Sequence, residues 1–484
     1  MKHIPITLIL FFLLTALGFS QETLQLSLAD AQHYALEHNK TIQNAKLDIS
    51  ASESKFKEAI AQGLPQIDAS LDYTTYFGYE MAFDLDFSAD YSSLTQEQLA
   101  GALDQTLTQF SGIPEMGISG ATYQDIYNYQ AGSYYGSVLS GMLPQSTIKM
   151  TDASTAKIQL GQLIFSGQYW VGIKMAKLGK KIAQQGLENS ILDIKESVTN
   201  SYLMVLVTEQ SVQTLEKSIE SLKDIKGHTE AMFNSGIAEQ TDVDQISMQI
   251  TLLENNLRSI ERGLKMGNSM LKFQLGVEAN QPITLTEDIE SVLAQINPTE
   301  INSEFDISNN TVYQLTATQE EISRKMVDLE KMAYTPTLTG YYAYNQKLLT
   351  TGFDMTPDNV AGLSLSVPIF SGGSRKNKVA QAKIDLDKAQ LNKSIVKDQL
   401  ELQQEQLQFD LKTAIENYEA QKENVALAKR VYKNLENKFQ QGMASSLDLT
   451  QSNNNYLQAE SNYIQSILSL LQAKVAIDKL YNQL

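Results

Sequence analysis

From Ser374 to Gln441 the chain contains neither proline nor glycine, and as one helix these 68 residues would reach about 100 Å. No globular domain needs a helix of that length. Within it Leu407, Leu411, Ala414, Tyr418, Val425, Ala428, Tyr432, Leu435 and Phe439 follow a 4,3 spacing, interrupted only at Gln421. That spacing is the seam of a coiled coil, so a second helix has to lie alongside. The stretch from about Leu447 to Tyr481, beyond a turn at Gly442, can return antiparallel to supply it.

The same arrangement occurs twice. Asn39, Gln43, Pro65 and Tyr73 recur as Asn310, Gln314, Pro336 and Tyr344, and Ile164-Phe165-Ser166-Gly167 recurs as Ile369-Phe370-Ser371-Gly372. The block Phe233-x-x-Gly236-x-Ala238-x-x-x-Asp242 returns as Phe439-x-x-Gly442-x-Ala444-x-x-x-Asp448. Each half then reads helix, strand, strand, very long helix, turn, helix. The first half carries an insertion between Tyr73 and Lys157 that is acidic and rich in tyrosine, with a short helix predicted around Leu99, Leu103, Leu107 and Phe110.

Local signals place the elements. Ser27 followed by Asp30 is a helix start, and the helix is expected to run to Gly63, where Leu64-Pro65 forces extended chain. Ile67, Ala69, Leu71 and Tyr73 then alternate with Gln66, Asp68, Ser70 and Asp72, a strand with one apolar face. Leu338, Gly340, Tyr342 and Tyr344 repeat that face. Ile158, Leu160 and Ile164 form a third run, with Gln162 as a departure. Leu363, Leu365, Val367 and Ile369 form a fourth, opposite Ser364 and Ser366. The first long helical pair is predicted over Gly172–Ser235 and Thr241–Phe273, with Gly179, Gly186 and Gly227 as weak points.

Composition narrows the function. There is no cysteine, which removes disulfides, thiolate metal sites and thiol catalysis, and a net charge of −18 opposes nucleic acid as a partner. His33 and His38 are five apart, off the spacing that pairs ligands on a helix, and Asp84-x-Asp86, Asp242-x-Asp244 and Asp385-x-Asp387 lack the further oxygens of a calcium loop. No enzyme, cofactor or metal is expected. Residues 1–20 read as a secretory signal, with Lys2 and His3 before an apolar run and Gly18-Phe19-Ser20 at its end.

Four strands cannot close a membrane barrel, and an open edge in hydrocarbon leaves backbone groups unsatisfied. The expected fold is a mixed α/β membrane protein in which several protomers share one β-barrel, two giving eight strands and three giving twelve, continued by a long helical coiled-coil tunnel. The alternative is a soluble periplasmic coiled-coil scaffold or a surface adhesin without a channel.

The chain resembles the TolC-like outer-membrane efflux proteins, also called outer-membrane factors. The resemblance rests on Ser27-Leu-x-x-Ala31-x-x-x-Ala35-Leu36-x-x-Asn39, on Leu64-Pro65-Gln66-Ile67, on Pro368-Ile369-Phe370-Ser371-Gly372-Gly373 and on the two Phe-x-x-Gly turns, in that order and duplicated. It implies a homotrimer with one twelve-stranded barrel in the outer membrane and a helical tunnel in the periplasm. It further implies the exit duct of a tripartite efflux or type I secretion system, working with a periplasmic adaptor (membrane fusion protein) and an inner-membrane transporter.

The resemblance also assigns sites. It places Asp448, Gln451 and Asp242 at the periplasmic entrance, where Asp448 holds the first of two family aspartate positions and Gln451 replaces the second. Capping of the returning helix is an equal alternative for Asp448, because Ser445-x-x-Asp448 is itself a helix start. Phe439 and Ala444 stand where the family has a tyrosine and an arginine that tie the entrance shut. Phe233, Gly236, Ile237, Ala238, Phe439, Gly442, Met443 and Ala444 are the implied adaptor-docking tips, while Asp68, Asp72, Ser364 and Ser366 are the expected lumen-facing positions. The expected segments after the signal are an N-terminal helix (21–64), a first strand pair (65–165) with its extracellular insertion (about 74–157) and a first helical hairpin (166–276). An inter-repeat segment (277–308), a second helix (309–335), a second strand pair (336–370) and a second hairpin (371–484) complete the chain.

Overall fold

The computed structural model describes residues 23–77, 80–83, 146–149, 152–294, 305–349 and 357–484. The predicted signal at 1–20 and the predicted insertion helix at Leu99–Phe110 lie outside the described residues. In chain order the elements are β1 (Leu24–Leu26), α1 (Leu28–His38), α2 (Lys40–Ala61), β2 (Gln66–Thr74), β3 (Glu80–Phe83), β4 (Ser146–Lys149) and β5 (Ala153–Ser166). There follow α3 (Gly167–Asn234), α4 (Gln240–Leu275), β6 (Ile283–Leu285), α5 (Ile289–Ala294) and α6 (Thr311–Met332). The chain ends with β7 (Thr337–Leu349), β8 (Asn359–Ser366), α7 (Ser374–Gln440) and α8 (Ser446–Leu480).

Two compact units result. The helical unit comprises residues 1–62, 165–337 and 367–484; the strand unit comprises 63–164 and 338–366. No described helix is long and apolar enough to cross a membrane.

In the helical unit, α3 and α7 are single helices of 68 and 67 residues. The glycines at 172, 179, 186 and 227 do not break α3, which begins five residues before the predicted start. A glycine costs a helix only about 1 kcal/mol, and packing along the rest of α3 outweighs it. The predicted antiparallel partnership of α7 and α8 is visible pair by pair. Leu411 clusters with Leu470 and Ile477, Tyr418 stacks on Tyr463, Tyr432 stacks on Tyr456, and Phe439 shares a cluster with Leu449. As one residue number climbs the other falls.

The N-terminal helix departs from the expectation of one rod to Gly63. It is two helices, because Asn39 takes an extended conformation (φ −64°, ψ 130°) and its side chain accepts from the Thr41 N–H to start α2. The Asn39 amide also donates to the Gln274 carbonyl at 2.6 Å, in the last turn of α4. Asn310 does the same in the second half, accepting from Val312 N and donating to the Leu480 carbonyl at 3.0 Å in α8. One residue type thus starts a helix and satisfies a carbonyl at the end of another. The predicted start of α1 holds, with Ser27 and Asp30 forming a reciprocal capping box.

The main core lies where α1, α3, α4 and α8 meet, around Ala31, Ala35, Val198, Tyr202, Leu271, Leu275, Ile467 and Leu471. The inter-repeat segment contributes to it through a feature the sequence did not announce. β6 pairs in parallel with β1, Leu24 opposite Ile283 and Leu26 opposite Leu285. Glu287 beyond β6 accepts from Leu28 N at 2.7 Å and from the Tyr202 hydroxyl at 3.2 Å.

In the strand unit, β2, β5, β7 and β8 form one four-stranded sheet in that order. β3 and β4 form a separate antiparallel pair. The last strand is shorter than expected: β8 ends at Ser366, so Val367 and Ile369 lie outside it. Pro368 accounts for this, since it has no N–H to give to a ladder.

Candidate functional site

The sheet has two chemically distinct faces. β2 and β5 pair antiparallel, with Ile67 opposite Leu160, Ala69 opposite Ile158 and Leu71 opposite Ala156. Between these pairs, Asp68 stands opposite Gln159, Ser70 opposite Lys157 and Asp72 opposite Thr155. Opposed residues share a face, so the register sorts apolar from polar. The Gly340 backbone lies against the Ile164 and Leu363 side chains, which extends the apolar face across β5, β7 and β8. The Tyr341 ring lies against Gly362 on the other side, where Ser364 and Ser366 also stand. Gln162, the polar departure on the apolar side, donates its amide to the Gly63 carbonyl at 2.7 Å. In a single chain Ile67, Leu71, Leu363 and Leu365 are all exposed.

The hairpin tips are built alike. Gly236 and Gly442 have φ of +76° and +71°, the left-handed conformation in which other residues are strained. The next N–H closes each turn: Ile237 N donates to the Met232 carbonyl at 2.9 Å, and Met443 N to the Lys438 carbonyl at 2.8 Å. Ile237 and Met443 are exposed; Ala238 and Ala444 are half-buried. The repeated phenylalanine is where the tips differ. Phe439 is 5% exposed and packs with Ile250, Tyr432 and Leu449, whereas Phe233 is 40% exposed.

The acidic residues behind the tips are held as caps. The Ser445 hydroxyl accepts from Asp448 N at 3.1 Å and donates to the Asp448 carboxylate at 2.7 Å. The Asp242 carboxylate accepts from Glu239 N at 3.0 Å and also from the Ser446 hydroxyl, which ties one tip to the other. Gln451 points elsewhere, donating to Asn455 at 3.0 Å. Capping is therefore the role that a single chain displays for Asp448, while Asp242 both caps and links.

Further links between the hairpins were not found from sequence. Gln249 donates to Asn454, the Ser218 hydroxyl donates to Asn453 at 3.4 Å, and the Ser221 hydroxyl meets Tyr432 and Glu436 at 3.1 and 3.3 Å. The available signal was the polar run Gln451-Ser452-Asn453-Asn454-Asn455, out of place in a helix that otherwise packs through apolar residues. Among the described residues no group of His, Asp or Glu is placed to hold a metal ion.

Residues 308–483 match the family model described as outer membrane efflux protein. The matched stretch, somewhat more than a third of the chain, is similar to the outer membrane efflux proteins. The match takes in α6, β7, β8, α7 and α8, which include the second half of the sheet and the second tip. The outer membrane efflux protein BepC of Brucella suis biovar 1 is 20% identical over 351 residues, 72% of this chain and 75% of that protein. Among solved structures, the fold is similar to the outer membrane protein VceC from Vibrio cholerae (TM-score 0.65, 13% identity, covering 94% of this chain and 95% of that one). It is also similar to the CmeC outer membrane channel of Campylobacter jejuni (TM-score 0.64, 14% identity, covering 94% and 85%). The MtrE outer membrane channel of Neisseria gonorrhoeae, solved in an open state, gives 0.65 at 11% identity, covering 94% and 88%. The efflux-protein likeness read from the Leu-Pro-Gln and Phe-Ser-Gly blocks thus extends to the fold of nearly the whole chain.

Proposed function

We propose that this protein is an outer-membrane duct, a homotrimer whose protomers each give four strands to one twelve-stranded barrel and whose helices form a periplasmic tunnel. The observation that carries this reading is the four-stranded sheet, apolar on one face and polar on the other, with β2 and β8 as its edges. Alone it exposes both its apolar face and two open edges. Lipid covers the first, and neighbouring copies of the same sheet pair the second. Asp68, Asp72, Ser364 and Ser366 then line the lumen.

The duct conducts passively, with no catalytic step, as the exit of a tripartite efflux or type I secretion system. The exposed tips around Ile237 and Met443 are the docking points for a periplasmic adaptor coupled to an inner-membrane transporter. Asp448 serves as a cap in each protomer and, in the trimer, as a ring of charge at the entrance.

The test is the oligomeric state in detergent together with conductance in a planar bilayer. A trimer with channel activity is expected; a monodisperse monomer that keeps its β-sheet signal defeats the shared barrel. A charge at Leu365, on the apolar face, is expected to cost assembly about 2 to 4 kcal/mol, while the same charge at Ser364 is tolerated. At the tips, Ala238→Glu with Ala444→Glu is expected to abolish export in cells while trimer yield and conductance stay normal. Full export by that variant would place the partner elsewhere.

A further inference from the structure

The two long helices begin with a charge pattern that neither the lumen nor the tips call for. α3 carries Lys174, Lys177, Lys180 and Lys181 before its first acid, Glu188, and α7 carries Arg375, Lys376, Lys378 and Lys383 before Asp385. In a chain of net charge −18 these are acid-free basic runs. They also stand at the wrong ends of their helices. The start of a helix is the positive pole of its dipole and favours acids, yet neither first turn contains one. Intramolecular pairing does not compensate. Among the described residues Lys180 meets Glu53 at 3.4 Å, but no carboxylate lies within ion-pair distance of Lys174, Lys177, Arg375, Lys376 or Lys378.

Apolar side chains accompany these bases. Trp170, Lys174 and Lys177 follow the i, i+4, i+7 spacing of one helical face, and all three are exposed. In the other copy Ile369 and Phe370, just ahead of α7, are 93% and 88% exposed. Both segments adjoin the strands directly in the chain: α3 starts at the residue after β5, and α7 starts eight residues after β8. Lys174 is at most about 12 Å of helix from the end of β5. Aromatic residues followed within a few turns by lysine and arginine are the order found where a protein leaves hydrocarbon and passes through a layer of anionic headgroups.

We propose that Lys174, Lys177, Arg375, Lys376 and Lys378, with Trp170 and Phe370 at their membrane side, form a binding site for anionic phospholipid headgroups of the leaflet nearest the helices. The site rests on the proposed membrane span of the strands and adds the lipid class that the junction selects. Trp170 is the single tryptophan of the chain, so its fluorescence reports this site alone.

The full-length protein would be reconstituted into phosphatidylcholine vesicles containing phosphatidylglycerol, with the bromine label on the chains of either lipid at equal mole fraction. Brominated phosphatidylglycerol is expected to quench Trp170 at least threefold more effectively than brominated phosphatidylcholine. The preference should shrink in 0.5 M salt as the charges are screened. The combined variant Lys174→Gln, Lys177→Gln, Arg375→Gln, Lys376→Gln and Lys378→Gln is expected to quench equally with both lipids while keeping trimer yield. Equal quenching by the two lipids in the unaltered protein overturns the site but leaves the duct standing. A preference that survives both the variant and salt assigns the selection to something other than these bases and also overturns it. No quenching by either lipid, with the protein left outside the vesicles, defeats the membrane span itself and the site with it.

Discussion

The helices α3 and α7 are nearly equal in length and open with the same basic pattern, yet α3 buries eighteen of its residues and α7 only six. α3 packs against α1, α2, α4, α5, α6 and α8, whereas among the described residues α7 packs chiefly against α6 and α8. Its open side carries Ile384, Leu391, Ile395, Leu402 and Phe409, all exposed and spaced by sevens and a four. α4 has an open apolar stripe of its own, with Met248, Leu252, Met266, Met270 and Phe273 exposed. Two helices that open with the same basic pattern thus differ in surroundings: one is largely buried and the other leaves a second seam bare. Soluble chains rarely leave such seams uncovered. The bare stripes on α7 and α4 are the surfaces that neighbouring protomers cover in the proposed trimer.

Charging the bare seam of α7 is expected to have the largest effect. Leu391→Glu with Leu402→Glu is expected to abolish the trimer on size exclusion in detergent while helical circular dichroism remains. A trimer that survives would show that the open face of α7 is not an interface. The buried helix should respond in the opposite manner. Tyr202→Ala, at a fully buried position whose hydroxyl donates to the Leu26 carbonyl, is expected to cost about 3 to 5 kcal/mol in denaturant unfolding.

At the tips the same contrast runs the other way, since the buried phenylalanine belongs to α7. Phe439→Ala is expected to cost about 3 kcal/mol, and Phe233→Ala under about 0.5 kcal/mol. Equal losses would mean that Phe233 is covered in the assembled protein.

A pH-dependent effect, smaller than the loss at Phe439, concerns the contact between α6 and α7. Glu320 accepts from Lys393 at 2.9 Å and from Arg324 at 2.7 Å, and these bonds hold its carboxyl below its ordinary value of 4.5. A lowered carboxyl contributes stability above that ordinary value and loses it as pH falls through the folded value. Glu320→Gln is expected to cost about 1 to 2 kcal/mol at neutral pH. Unfolding curves of the two proteins should converge in acid; a constant gap down to pH 2 would assign the loss to packing.

Most of the helical architecture was readable in the sequence because its determinants are local and periodic. Ser27 with Asp30 started a helix, Gly236 and Gly442 closed turns, and the 4,3 seam of α7 named α8 as its partner. The apolar alternation of β2 and β8 likewise marked the faces of the sheet, because side chains in a strand alternate whatever the strand pairs with. Tertiary contacts decided the rest. Asn39 breaks the N-terminal helix because a carbonyl at the end of α4, 235 residues away, takes its amide. β1 finds β6 across a similar distance, and three residues carry too little pattern to announce a strand. Asp242 could be read as a helix start, but its bond to Ser446 exists only because two hairpins bring their tips together. Likewise α3 and α7 begin with the same pattern, and which of them is buried depends on how many other helices pack around each, a count that no local pattern carries.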